Sequence, residues 1–223
     1  MNGPARARQS TVVIGASGKT GVLVIERLLA EGHFVRAVSR TPPAEFDDAY
    51  AAEMEFVHGD VSKDDAAPWM IGMDAVVFTA AGDASTEDAV DHLGAGRCAL
   101  VAQEAGAARF VLVSAHGAHD PSSWGAKFQS YLEVKAAGEK AVRSAFPSAT
   151  IIRPGILTDN PATGSATIRT CVGSGEAPVA RADVAMLAAI CSTLQKPDGL
   201  TLEIVGGTEP ITEALERILN SLS

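Results

Sequence analysis

A glycine-punctuated loop close to the start of the chain constrains the fold more than any other feature. The β-forming run Thr11–Gly15 leads straight into Gly15-Ala-Ser-Gly18-Lys-Thr-Gly21, and a helix-period pattern opens at Lys19. Glycine at these three places has a mechanical meaning. Gly15 permits a sharp turn off the strand, Gly18 lets a diphosphate approach the backbone, and Gly21 lets the helix pack on the sheet. Amides at a helix start, aligned with its dipole, suit an anion. The spacing is GxxGxxG, one residue longer than the common GxGxxG, and its place between a first strand and a first helix makes it specific. Gly15, Ser17, Gly18, Lys19, Thr20 and Gly21 are therefore the candidate contacts of a dinucleotide. Gly18-Lys19-Thr20 also ends a nucleoside-triphosphate loop, but that motif needs glycine at position 13, where Val13 stands in mid-strand.

Cofactor choice is read at the end of the second strand, where NAD-preferring sites carry an acid. Here the residues are Ala37-Val-Ser39-Arg40-Thr-Pro, with no acid among them. The planar fork of Arg40 suits a 2′-phosphate, with Ser39 and Lys19 assisting. The expectation is NADP(H) in preference to NAD(H).

Short apolar runs alternate with helical patterns along the rest of the chain. Strands are expected at Thr11–Gly15, Phe34–Ser39, Glu55–His58, Ala75–Thr79, Arg109–Ser114, Thr150–Arg153 and Leu200–Val205. Helices are expected at Lys19–Glu31, Glu87–Ala105, Gln129–Phe146, Ala182–Gln195 and Thr212–Leu219. The better strands are rich in Val, Ile and Phe without polar alternation, as strands buried on both faces are. This alternation implies βαβ units and an α/β fold, a doubly wound, mainly parallel sheet in one domain. Residues 1–10 read as a flexible lead-in and 11–223 as the domain. Ala115–Phe128 and Thr158–Glu176 are the expected long loops. Both follow strand carboxyl ends, the edge at which open α/β sheets bind ligands.

Composition excludes several functions. A net charge of −9 argues against a nucleic-acid partner, which calls for a basic stripe. No run of roughly 18 apolar residues offers a membrane span, and no signal or transit peptide is evident. Cys98, Cys171 and Cys191 share no CxxC spacing and read as small buried hydrophobes in a reducing cytoplasm.

Several segments, in order, carry a resemblance: VVIGASGKTG (12–21), GHFVRAVSR (32–40), GDV (59–61), VFTAAG (77–82), RFVLVSA (109–115), YLEVK (131–135), IIRPG (151–155) and RADVA (181–185). Over about residues 11–223 the chain resembles the atypical short-chain dehydrogenase/reductases, particularly the short NmrA-like and biliverdin/flavin-reductase-like branch with a Rossmann fold. The resemblance implies Asp60 and Val61 beside the adenine and Ala80, Ala81 and Gly82 beside the ribose and diphosphate. It places Pro154, Gly155 and Ile156 along the nicotinamide.

Tyr131 and Lys135 stand four apart in a helical pattern and so share a face. In the resembled family YxxxK is the catalytic pair, joined by a serine that is here Ser114. The family's fourth member, an Asn, corresponds here to Asp91. A neighbouring ammonium favours the phenolate of a group whose free pKa is about 10, so Tyr131 would exchange a proton with a substrate oxygen. Lys135 would also bond the nicotinamide ribose, and Ser114 would orient the carbonyl. His116 and His119 lie in the loop after Ser114 and so over the expected nicotinamide pocket. They are expected to be solvated, the alternative being that they bind a substrate acid or, with a third ligand, a metal. Trp124 and Phe128 are either a pocket wall or loop anchors. No metal site is expected. The chain thus reads as an NADP(H)-dependent oxidoreductase of a small carbonyl, quinone or flavin-like acceptor, cytoplasmic and monomeric or homodimeric, with its pocket built from 115–128 and 157–176. Two alternatives stand beside it: a non-catalytic NADP(H) sensor, and an epimerase/dehydratase-like enzyme.

Overall fold

Apolar side chains alternate between the two sides of each central strand, and that alternation determines the layers. The computed structural model describes residues 8–43, 50, 52–83, 85–170, 177–194 and 199–222. The strands are β1 (Ser10–Ile14), β2 (Phe34–Ser39), β3 (Met54–His58), β4 (Ala75–Phe78), β5 (Arg109–Val113), β6 (Thr150–Pro154), β7 (Leu157–Thr158), β8 (Ser165–Arg169), β9 (Val179–Ala180), β10 (Thr201–Gly206) and β11 (Glu209–Pro210). The helices are α1 (Lys19–Ala30), α2 (Ala67–Met70), α3 (Ala95–Glu104), α4 (Ala126–Ala145), α5 (Arg181–Thr193) and α6 (Ile211–Ser221). Nine strands form one sheet in the order β11-β8-β10-β6-β5-β4-β1-β2-β3, and β7 pairs with β9 beside it. Every pairing from β3 to β10 is parallel.

Val13, Val77, Val111 and Ile152 point to the side covered by α1, α5 and α6. Their neighbours Val12, Ile14, Val76, Phe78, Phe110, Leu112 and Ile151 point to the side covered by α2, α3 and α4. These are the two faces of a doubly wound sheet, and the expected fold class holds. Chain order reverses between β1 and β4, which opens a crevice at their carboxyl ends.

Most expected boundaries shift by a residue or two, and four of the changes bear on the site or the sheet. Ser10, read as part of the lead-in, opens β1 and pairs with Phe34. Residues 158–176, read as one loop, contain β8, which inserts antiparallel between β10 and β11. Its five residues alternate in burial, a weaker sequence signal than a buried parallel run. The helix expected from Gln129 begins at Ala126 and takes Phe128 into its first turn. The helix expected over 87–105 opens as a π-helical segment, Asp88–Gly94, before α3. Cys98 and Cys191 are buried, which pushes each thiol up to about 12, while Cys171 lies outside the described residues. Among the described residues no helix is long and apolar enough to cross a membrane.

The π segment and α4 touch through Gly138, where a β-carbon would collide with the carbonyl oxygen of Asp91. That backbone approach decides how near residues on the two elements can come. Replacing Gly138 with Ala should cost about 1–3 kcal/mol by overpacking, a fall in Tm of roughly 3–10 °C. Calorimetric unfolding checks it, with Gly125→Ala as a control where a β-carbon meets open space.

Candidate active site

Two cavities open along the carboxyl edge of the sheet. The first, about 370 Å³, lies over β1, β2 and β4 and is walled by Gly15, Ser17, Gly18, Lys19, Thr20, Ser39, Arg40, Asp60, Val61, Ala80 and Ala81, together with Thr79 and Arg181. Eleven of the expected cofactor contacts thus stand around one space. Gly15 has φ +86°, and a β-carbon there would lie 2.5 Å from the amide nitrogen of Ala80. Gly21 is not on the wall: its α-carbon faces the Gly15 carbonyl so closely that a side chain would clash, which makes it a packing residue. Gly18 is the N-cap of α1 and offers no side chain to the first-turn amides, which lack acceptors within the helix.

The first cavity is cationic along one rim. Arg181 Nε lies 3.0 Å and Lys19 Nζ 2.5 Å from the two oxygens of Asp159, and Arg181 reaches the Thr20 hydroxyl at 3.3 Å. Arg40 is exposed at the end of β2 and has no ion-pair partner among the described residues. Ser39, by contrast, is buried and donates its hydroxyl to the Thr41 carbonyl at 2.6 Å. Three cations, backbone amides and glycine-lined walls fit a dinucleotide carrying several phosphates.

On the opposite rim Asp60 closes a tight turn. Its carboxylate accepts the Ser62 hydroxyl at 2.6 Å and the Ser62 amide at 2.9 Å, and it pairs with Lys63 at 3.3 Å. The Ser62 hydroxyl and then its amide hold the Asp60 carboxyl down at about 2.

The second cavity, about 360 Å³, lies over β5 and β6 and is walled by Ser114, Ala115, His116, Trp124, Phe128, Tyr131, Leu132, Pro154, Gly155, Ile156 and Leu157. The residues expected along the nicotinamide, Pro154 to Ile156, therefore stand with Tyr131 and Ser114 rather than with the glycine loop. Trp124 and Phe128 are wall. Among the described residues of 157–176 only Leu157 contributes, while Asp159 to Ala162 line a separate groove against α1.

Tyr131 is 37% exposed, and Lys135 Nζ sits 5.6 Å from its ring centroid. Lys135 is only 7% exposed and lines neither cavity. Its ammonium is 2.5 Å from Asp91 Oδ1, and Asp91 Oδ2 accepts the Gly82 amide at 2.7 Å. Asp91 is thus a buried counter-ion for Lys135 and a clamp on the loop after β4. Gly82, the clamped residue of that loop, does not line the first cavity.

Ser114 donates its only proton to Glu139 Oε1 at 2.6 Å, so it turns lone pairs, not a proton, to the second cavity. Arg153 grips Glu139 through Nε at 2.9 Å and Nη2 at 2.6 Å. Neighbouring Glu139 and Glu203 raise the Arg153 guanidinium pKa against the opposing effect of burial. Glu203 stands directly across from Arg153 in the β6–β10 register. Its Oε2 lies 3.7 Å from His116 Nδ1 and its Oε1 3.8 Å from His119 Nδ1. The histidine side chains are 10% and 25% exposed, so both pack on a buried carboxylate instead of standing in solvent. Among the described residues no cluster could hold a metal ion. Sequence reasoning passed over Glu139, Arg153, Glu203 and Arg181. The available signals were charges inside strand runs (TIIRP, TLEIV) and the four-residue step from Lys135 to Glu139.

Strand order, glycine turn and crevice define an NAD(P)-binding Rossmann protein. The profile of the NAD(P)H-binding family matches residues 15–194, and the chain belongs to that family. It is 29% identical over 212 residues to the Bacillus subtilis uncharacterized sugar epimerase YhfK, covering 92% of this chain and 98% of that one. It is 33% identical over 154 residues to the Caulobacter vibrioides ceramide reductase, covering 66% of this chain and 46% of that protein. A solved Bacillus halodurans structure, assigned as an NAD-dependent epimerase/dehydratase, superposes with a TM-score of 0.84 at 26% identity, covering 94% of this chain and 99% of that one.

The Asp60 turn yields a pH prediction. Because its carboxyl is lowered in the fold, Asp60 contributes stability above the ordinary value of 3.8, and the contribution is lost as pH falls toward 2. Carboxyl NMR should place its midpoint near 2. Ser62→Ala should raise that midpoint toward 3.8 and shrink the stability lost across the same interval.

Proposed function

We propose that the protein is an NADP(H)-dependent oxidoreductase acting on a small carbonyl, quinone or flavin-like acceptor. The observation that carries this reading is the placing of Tyr131 over a buried ammonium, in a cavity beside the dinucleotide crevice. The first cavity would hold the adenine nucleotide and diphosphate, with the α1 amides and Lys19 on the diphosphate and Arg40 on a 2′-phosphate. Pro154 to Ile156 would flank the nicotinamide at the edge of the second cavity. A bound reduced nicotinamide supplies the hydride.

The chain's own residues manage the proton. Tyr131 gives its phenolic proton to the substrate oxygen as negative charge develops there. Lys135, anchored by Asp91, stabilises the resulting phenolate from beneath the ring. The apolar wall of Leu132, Ile156, Leu157 and the aromatic residues excludes water. That wall also favours reduction of an apolar acceptor over epimerisation of a sugar, whose hydroxyls would need polar partners. The ceramide reductase relative works on a lipid by its name, in keeping with an apolar site.

Calorimetry with NADPH and NADH should show tighter binding of NADPH. Arg40→Ala should weaken NADPH roughly tenfold or more, since one hydrogen bond to a charged group contributes about 1.5–3 kcal/mol, and leave NADH nearly unchanged. Steady-state NADPH oxidation over carbonyl, quinone and flavin acceptors should fall roughly 100-fold or more in Tyr131→Phe. Tight binding without turnover of any acceptor would point instead to a sensor. Equal binding of both nicotinamides would overturn the NADP assignment.

A further inference from the structure

The second cavity has few polar side chains, Ser114, His116, Trp124 and Tyr131. Ser114 spends its proton on Glu139, and both Glu139 oxygens are engaged by Arg153. The Trp124 indole meets the His116 ring edge-on at 5.9 Å, and its Nε1 lies against Gly117. Tyr131 is assigned above to the reacting oxygen. His116 differs from the others in having a fully buried polar atom, Nδ1, with no hydrogen-bond partner. The β5–β6 pairing runs on past β5, with the Ser114 amide donating to Ile152 and the His116 amide to Pro154. Ser114 and His116 are thus two residues apart on an extended edge and line the same space.

We propose that His116, held beside Glu203, is a hydrogen-bonding anchor of the second cavity, and that the site takes a flat, apolar carbonyl compound. The carbonyl oxygen accepts from the Tyr131 hydroxyl with one lone pair and from an imidazole N–H with the other. This rests on the oxidoreductase reading and adds to it a substrate class and a specificity-determining residue. Two observations support the assignment. The His116 side chain is nine-tenths buried at the cavity wall, and its Nδ1 makes no hydrogen bond. Glu203 Oε2, 3.7 Å from Nδ1, holds that side of the ring toward β10, and Trp124 limits its rotation from the edge. The opposite nitrogen, Nε2, then faces the ligand, and it donates to a carbonyl oxygen as the Nε2–H of the imidazolium that an ion pair with Glu203 requires. Flatness follows from the aromatic walls of Trp124, Phe128 and Tyr131 around a space of about 360 Å³. A ligand rich in hydroxyls would leave them unpaired against Leu132, Ile156 and Leu157. Glu203 argues against a carboxylate at the anchor, because it would face a like charge.

The test uses two nearly isosteric probes, 2-acetonaphthone and 2-ethylnaphthalene, which differ by one oxygen. Binding to the full chain without cofactor is followed by tryptophan quenching, and NADPH binding by calorimetry in the same preparations. Wild type should bind the ketone roughly tenfold more tightly than the hydrocarbon, as expected for one buried hydrogen bond of about 1.5 kcal/mol. His116→Phe keeps a ring against Trp124 without the nitrogens and should cut that preference several-fold, leaving the part due to Tyr131, while sparing hydrocarbon and NADPH binding. His116→Gln, which keeps an N–H donor, should recover part of it. Glu203→Gln should weaken it, and His119→Gln, which does not line the cavity, should leave it intact. Equal loss of both probes in His116→Phe, or an unchanged preference, overturns the assignment. Wild type that binds NADPH but neither probe also overturns it and leaves the oxidoreductase reading standing. Failure to bind NADPH counts against that reading alone.

Discussion

The carboxylate of Asp91 joins the two halves of the site. One of its oxygens holds the Gly82 amide in the loop that follows β4, and the other holds the Lys135 ammonium on α4. The first contact belongs to the crevice side of the sheet and the second to the side of Tyr131. The contact is possible because the π-helical segment brings Asp91 inward and Gly138 lets α4 approach its backbone. π-segments are rare and occur frequently at functional sites. Removing the carboxylate would strand a buried ammonium, a loss of about 3–5 kcal/mol for a broken buried pair. An asparagine could keep a bond to Gly82 but would leave Lys135 without its counter-charge.

A second polar chain lies one strand further on. Ser114, Glu139 and Arg153 are connected by hydrogen bonds, and Glu203 faces Arg153 across the register. Ser114 and Arg153 lie on the same sheet face as Phe110, Leu112 and Ile151 by strand alternation, under α4. Through it the end of β5, the middle of α4 and the rim of β10 are held to one another. The hydroxyl of Ser114 is committed by this chain, so the serine acts as an acceptor toward the cavity. The residue type expected from the resemblance is present, but its neighbours give it a different bond.

The sheet was legible because its signals are local and redundant. Each parallel strand is a short apolar run, and glycines at 32, 106 and 199, all with positive φ, end the preceding helical or loop segments. The glycine loop was legible because a strand and a helix flank it. What escaped depends on pairing across the fold. β8 alternates polar and apolar residues and is recognisable as a strand only beside β10. Arg181 belongs to the first cavity because α5 packs against α1, a contact invisible in linear order. His116 reads as a solvated residue until β10 supplies Glu203. The charges in TIIRP and TLEIV were the detectable anomaly, since a strand buried on both faces admits a charge only when another meets it.

Buried ion pairs add little stability compared with apolar residues of the same size, because desolvation offsets most of the attraction. The row of Glu139, Arg153 and Glu203 therefore gives the fold little that leucine or methionine would not. What it does give is direction. A carboxylate held by a guanidinium leaves the Ser114 proton one acceptor, and a second carboxylate sets which edge of the His116 ring faces the sheet. Aliphatic replacements would fill the same volume and leave both groups free to turn. In a cavity whose remaining walls are apolar, those orientations decide which ligand atoms can be paired. The specificity of the second cavity thus originates in charges beneath its floor rather than in the residues a ligand would mostly touch.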